Sequence, residues 1–423
     1  MQSIRGAVLR PFTACLVLLA PGLATLGDDL VIPGGGSDGD LDIIHGTVGG
    51  PISQVTVTNV VNGVTNVVHE TVFDLGKATT ARWDAPSTAD DSNIHVGVYD
   101  PERWAVVFKY RKVSLAGGVR LTFKDHPSRA PVVWLVQETV AIAEGATLDL
   151  SGRYTVRDTV ESLEPSEAGP GGFRGPAHGP GGSGWGFGPG GLGDGAGYRN
   201  VYGNPRLLPL IGGSGGFFTY QGFGRWGSSG GGGAILIAAG QSVEVDGSIL
   251  ARGGSISSFG NAGGGSGGAI RIVAPTLKGD GLIDAEPEGR TRLEVESVES
   301  GVKILPNAVA VQPVPEPIIW APSTAPTVRI TRVHDQGAPV DPRADLRTDP
   351  DVRIEENAVV DIELETVNLP IEGVVQLRVG PKYGAASWIK ATFAGGDINK
   401  ATWKASTLLP PGFTVLQARA TAP

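Results

Sequence analysis

Gly233-Ala-Ile-Leu-Ile-Ala-Ala-Gly-Gln-Ser-Val-Glu-Val-Asp-Gly-Ser-Ile-Leu-Ala-Arg-Gly253 reads as a short β-branched strand, a turn, a second strand closing on Asp-Gly, and a third strand ending on small residues. Apolar residues alternate with polar or small ones along it, the period of a strand that buries one face. Three more segments can be laid over it: Pro131 to Gly152, Gly268 to Ala285 and, truncated, Arg290 to Glu296. A unit this short cannot bury its own apolar side, so its recurrence predicts units that stack and share one core. In that register Ile235, Ile237, Ile270 and Ile272 point into the stack, while Leu236 and Arg271 point outward. The expected fold is all-β: a short right-handed parallel β-helix-like solenoid.

Outward from the repeat, the chain divides by composition. Residues 1–27 carry Arg5 and Arg10, the apolar run Phe12 to Ala20, then Pro21-Gly22 and small residues, the layout of a secretory signal peptide. Cys15, the only cysteine, lies inside that run, so the exported chain holds no disulfide. Residues 28–112 alternate strand-like runs with Asp/Asn/Gly turns and predict an N-terminal β module that caps the open end of the stack. The repeat domain then spans 113–311, interrupted at about 164–233 by an insertion in which 27 of 70 positions are Gly. Such a composition is that of a disordered segment, whereas its interleaved aromatics argue for compact loops packed on the stack; the sequence leaves both readings open. Residues 312–323 read as a stiff Pro-rich linker. The last strands, from Thr327 to Arg419, are spaced as in an immunoglobulin-like β-sandwich over 324–423, although the cysteine signature of that fold is missing.

The bulk numbers exclude several classes. The chain has 423 residues with a net charge of −9, which removes the basic face expected of a nucleic-acid binder. Beyond the signal segment no apolar stretch reaches the roughly 18 residues of a membrane helix. The six histidines are scattered without ligand spacing, there is no nucleophile elbow, and the glycine runs lack the ending of a phosphate loop. No cofactor is implied.

Three constellations stand out as candidate sites. Asp149, Asp246 and Asp280 (or Asp284) fall at comparable points of successive repeats and would line one edge, as the paired carboxylates of polysaccharide-cleaving solenoids do. Asp246-Gly247 and Asp280-Gly281 are equally ordinary turn dipeptides. Asp38, Asp40 and Asp42 space three carboxylates two apart, as calcium loops do, without the glycine and distal glutamate that complete such a loop. Trp185, Tyr198, Tyr202 and Trp226, in the glycine-rich insertion, offer rings on which sugars stack, or side chains that merely pin the loop.

Gly230-Gly-Gly-Gly-Ala-Ile-Leu-Ile237, Gly263-Gly-Gly-Ser-Gly-Gly-Ala-Ile-Arg-Ile272 and Pro131-Val-Val-Trp-Leu135 resemble the glycine-rich secreted repeat proteins predicted from many environmental bacteria, over about residues 110 to 296. The resemblance implies a parallel β-helix-like fold and export, and brings no catalytic motif. Arg290-Thr-Arg292 replaces the glycine pair of that pattern, so the final repeat is expected to be a cap. The resulting expectation is a secreted or cell-surface, non-enzymatic structural or matrix protein. The alternatives are a protein that binds or cleaves extracellular polysaccharide, and an adhesin whose C-terminal sandwich engages a cell-surface protein.

Overall fold

The computed structural model describes residues 29–61, 64–85, 95–153, 166–175, 186, 188, 205–216, 229–254, 264–308, 310–340, 349–355, 359–381 and 386–421. Among these the protein is all-β. No helix among the described residues is long and apolar enough to cross a membrane.

Each repeat contributes three short strands, and equivalent strands of successive repeats pair in parallel. Ala234–Ala239, Ser242–Val245 and Ser248–Leu250 make one repeat. Its first strand lies between Val132–Val136 and Ala269–Gly279, placing Ile235 beside Val132 and Ile270, and Ile237 beside Trp134 and Ile272. The second strand aligns Val243 with Val140 and Leu277, and the third aligns Ile249 with Leu148 and Ile283. Identical spacing in every repeat therefore makes columns of apolar side chains, all in one buried cluster. Each such Ile or Val, moved from water into this cluster, contributes about 1.5–3 kcal/mol before the entropy of ordering is subtracted.

The stack extends beyond the segments in which its pattern is strongest. Ala105–Tyr110 pairs in parallel with Val132–Val136, Lys112–Leu115 with Thr139–Ile142, and Arg120–Lys124 with Thr147–Asp149, so a whole repeat precedes Pro131 and begins upstream of residue 113. At the other end, Arg290–Ser300 pairs along ten positions with Ala269–Gly279 and continues into Lys303–Leu305, so the segment from Arg290 is a complete repeat. Ala310–Val311 then covers part of its free edge.

Leu236 and Arg271 are adjacent in register and face away from the interior, but neither reaches solvent: they are 2% and 1% exposed. The outer face of the first-strand column is covered by Leu30 and Ile32 from the N-terminal segment and by Ile319 and Trp320 from the Pro-rich stretch. That stretch lies along the stack, with Val31 N donating to Pro315 O at 3.1 Å. Arg271 keeps its charge balanced through Glu294, 2.8 Å away.

Glycine-rich segments pack against the turn that joins one repeat to the next. Residues 229–234 donate to or accept from five other segments: Gly230 N to Arg153 O, Gly231 N to Phe173 O, Gly232 N to Ser266 O, Gly213 N to Gly232 O, and Gly254 N to Gly230 O, at 2.7–2.9 Å. A strand in a sheet has two neighbours in one plane; this segment is bonded all round its axis. Such proximity requires the missing side chain, since a Cβ on Gly231 would lie 1.9 Å from Gly213 O and one on Gly232 would lie 2.0 Å from Ala251 O.

The C-terminal unit consists of two antiparallel sheets. One contains Thr327–Val333, Val359–Val367, Ala401–Leu408 and Thr392–Gly396, the other Ser387–Lys390, Val374–Pro381 and Thr414–Thr421. Ile362, Leu364, Leu377 and Trp403 share the core between them. The buried Trp403 satisfies its indole N–H with Thr366 Oγ1 at 2.9 Å.

Candidate functional site

The carboxylates singled out on the repeats do not form one row. Asp246 and Asp280 stand in the turn between second and third strands, whereas Asp149 and Asp284 end the third strand, where both align with Leu250 of the intervening repeat. The difference arises because Asp-Gly closes a turn, while the other position continues the ladder for one more residue. Each carboxylate links one part of the stack to another. Asp246 Oδ1 accepts from Asp280 N, and Asp280 Oδ1 from Gly301 N, both at 3.1 Å. Asp149 is ion-paired with Arg120 and Asp284 with Arg252. Asp149 and Asp284 also accept from the amides of Ser151 and Glu286, two residues on, at 2.9 Å.

Asp38, Asp40 and Asp42 take three separate positions. Asp38 is buried, accepts from Lys109 N at 2.6 Å, and has its carboxyl pushed up by desolvation against that hydrogen bond. Asp40 pairs with Arg111, and Asp42 is exposed on the strand Asp40–Ile43. Among the described residues no three His, Cys, Asp or Glu side chains are grouped as metal ligands. Trp185, Tyr198, Tyr202 and Trp226 lie outside the described residues.

A large concavity lies elsewhere, between the stack and the C-terminal unit. It has a volume of about 1330 Å³, with Trp104, Arg129, Phe173 and Arg174 on one wall and residues such as Ile330 and Leu416 on the other. Phe173 also packs on Phe413 and Val415. Beside this contact Arg378, 2% exposed, donates to Gly186 O at 3.0 Å and to Gln417 Oε1 at 3.0 Å, bringing the glycine-rich insertion onto the C-terminal sheet. Burial pulls the Arg378 guanidinium down to about 10, with Arg419 adding to the effect.

Behind the first wall sits an ionic cluster. Arg174 holds Glu167 through both carboxylate oxygens at 2.6 and 2.7 Å, and Arg129 Nη1 stands 3.6 Å from both Glu167 and Asp125. Burial pushes the Asp125 carboxyl up to about 7, opposed chiefly by Arg129. Trp104 and Arg129 both adopt left-handed backbone conformations, with φ of 48° and 56°. Trp104 is held by its indole N–H, which donates to Ser128 O at 2.9 Å. Sequence reasoning missed this wall, although Phe173-Arg174 between glycines, in Gly171-Gly-Phe-Arg-Gly175, marks side chains presented by a backbone that has few others.

Comparison with known proteins finds no matching family model, no matching curated protein and no matching solved structure.

Proposed function

We propose that this chain is an exported, non-enzymatic structural protein of a cell surface or extracellular matrix, its first 27 residues serving as the signal peptide. In this reading the parallel stack is a short right-handed β-helix-like solenoid flanked by packed glycine segments, and the C-terminal unit is an immunoglobulin-like β-sandwich. The observation that supports it is the use made of the carboxylates. Asp149, Asp246, Asp280 and Asp284 are all engaged in hydrogen bonds or ion pairs that fasten the stack. A general acid or nucleophile needs its carboxylate aimed at a substrate and its proton affinity matched to the task. These four are fixtures of the scaffold.

The test is size-exclusion chromatography of the exported chain after incubation with acidic and neutral polysaccharides in calcium. Unchanged polymer length is expected. Shortened polymer that stays long with the Asp149→Asn or Asp280→Asn chain would overturn the proposal in favour of a polysaccharide-cleaving protein. Co-elution without shortening would favour the polysaccharide-binding alternative, and capture of a surface protein lost on substitutions confined to 324–423 would favour the adhesin.

A further inference from the structure

We propose that the cleft between the stack and the C-terminal unit is a binding site for a long-chain carboxylate, with the acyl chain against the C-terminal sheets and the head group at Arg129 and Arg174. Thr327–Val333 and Thr414–Thr421 belong to different sheets, and the second is the last strand of its sheet among the described residues. Between them the core is not closed: Val328, Ile330, Val352, Ile354 and Leu416 pack on its buried members, are themselves only partly buried, and line the cleft. Hydrocarbon that belongs to a core and is left facing a cavity is the surface an apolar ligand covers. At about 1330 Å³ the cleft exceeds the roughly 300–1,000 Å³ of ordinary small-ligand sites, leaving room for an elongated body.

The opposite wall has the complementary chemistry. Arg129, Arg153 and Arg174 surround two carboxylates, Asp125 and Glu167, and Asp125 is about half protonated at neutral pH. Of the charged side chains that line the cleft, Arg129, Arg174, Arg329 and Arg353 outnumber Asp351 and Glu355, so the lining is net positive. Guanidinium forks match carboxylates in shape as well as charge, so a carboxylate head is favoured there. Trp104 and Arg129 stand side by side in strained backbone conformations, and strain that the surrounding structure maintains is concentrated at functional positions. An acidic sugar would use the arginines but leave Val328, Ile330, Val352, Ile354 and Leu416 uncovered, so the lining as a whole favours an amphiphile.

The experiment is isothermal titration of the full exported chain with laurate below its micelle concentration, with dodecyltrimethylammonium and oligogalacturonate as the other probes. Saturable binding of one laurate per chain is expected, at least tenfold tighter than the cationic amphiphile of equal chain length, with no oligogalacturonate binding. Ile330→Trp, which fills the apolar wall, should abolish laurate binding. Arg129→Gln should weaken it about tenfold. Near-ultraviolet circular dichroism identifies any variant that fails to fold; if Ile330→Trp misfolds, Leu416→Trp on the facing strand replaces it. Absence of saturable laurate binding, equal binding of the cationic probe, binding unchanged by the filling variant, or displacement of laurate by oligogalacturonate would each overturn the proposal.

Discussion

In the parallel stack, hydrogen bonds run in one direction, from repeat to repeat, and Ile237 between Trp134 and Ile272 fills the space within each turn. In the glycine-packed flank, hydrogen bonds join residues 229–234 to five segments, and the glycines pack backbone against backbone. Both regions give buried backbone groups their partners. They differ in what a mutation meets. A side-chain core has soft degrees of freedom, because rotamers shift and neighbours relax into a small void. A backbone-on-backbone core has none, since each wall is a carbonyl already fixed by its own hydrogen bond. Glycine density can thus mark the least tolerant part of a protein.

The sharpest test pairs one methyl added to the flank with one removed from the stack. Gly231→Ala is expected to destabilise by about 3 kcal/mol, the upper end for overpacking, because its Cβ would lie 1.9 Å from Gly213 O. Ile237→Val should cost about 1 kcal/mol. Urea denaturation of both variants measures the difference, and equal costs would break the comparison.

Arg378→Met comes next. It withdraws the donor from Gly186 O and Gln417 Oε1 and is expected to cost about 2 kcal/mol, the range for charged hydrogen bonds. Thermal unfolding checks it, and an unchanged midpoint would show that the flank stands without the C-terminal unit.

A pH dependence is expected as well. Asp125 joins stack and flank through Arg129 and Glu167, and its carboxyl titrates at about 7 in the folded chain. The unfolded carboxyl titrates near 4, so between about pH 4 and 7 the native state holds the proton that the unfolded state has released. Stability then falls as pH rises through that window. Asp125→Asn should flatten this slope in urea titrations from pH 4 to 8; an unchanged slope would place its origin elsewhere.

The smallest change belongs to the turns of the stack. Asp246→Asn keeps the oxygen that accepts from Asp280 N and should alter stability by less than about 0.5 kcal/mol. A larger loss by thermal unfolding would mean that the charge itself holds the repeats together.

Local alternation in the sequence was enough to place Ile235, Ile237, Ile270 and Ile272, because a strand's inner face depends only on period and on a neighbour with the same period. At Ala105–Tyr110 it marked a strand without showing that the strand belongs to the stack, since no glycine pair leads in and Lys109 occupies the outer face; there Lys109 is buried, its Nζ donating to Ala85 O at 3.0 Å. It also left Leu236 and Arg271 facing solvent, since their cover arrives from residues about 30 and 320, far along the chain. The glycine insertion leaves both readings open because disorder and dense backbone packing share one composition. What separates them is whether neighbours are available on every side, which no local window contains. The cleft was illegible for the same reason: Trp104, Arg129 and Phe173 meet Ile330 and Leu416 only after two units dock.

The meeting of Val31 with Pro315, beside Leu30 N donating to Gly240 O at 2.8 Å, brings the entrance and the exit of the stack together on its outer face. Tension applied between the N-terminal segment and the C-terminal unit is therefore shared between the Val31–Pro315 bond, with the neighbouring Trp83 and Trp320 rings 5.4 Å apart, and the Leu30–Gly240 bond that ties the segment to the stack itself. A chain emerging N-terminus first cannot make the first of these bonds before residue 315 has appeared.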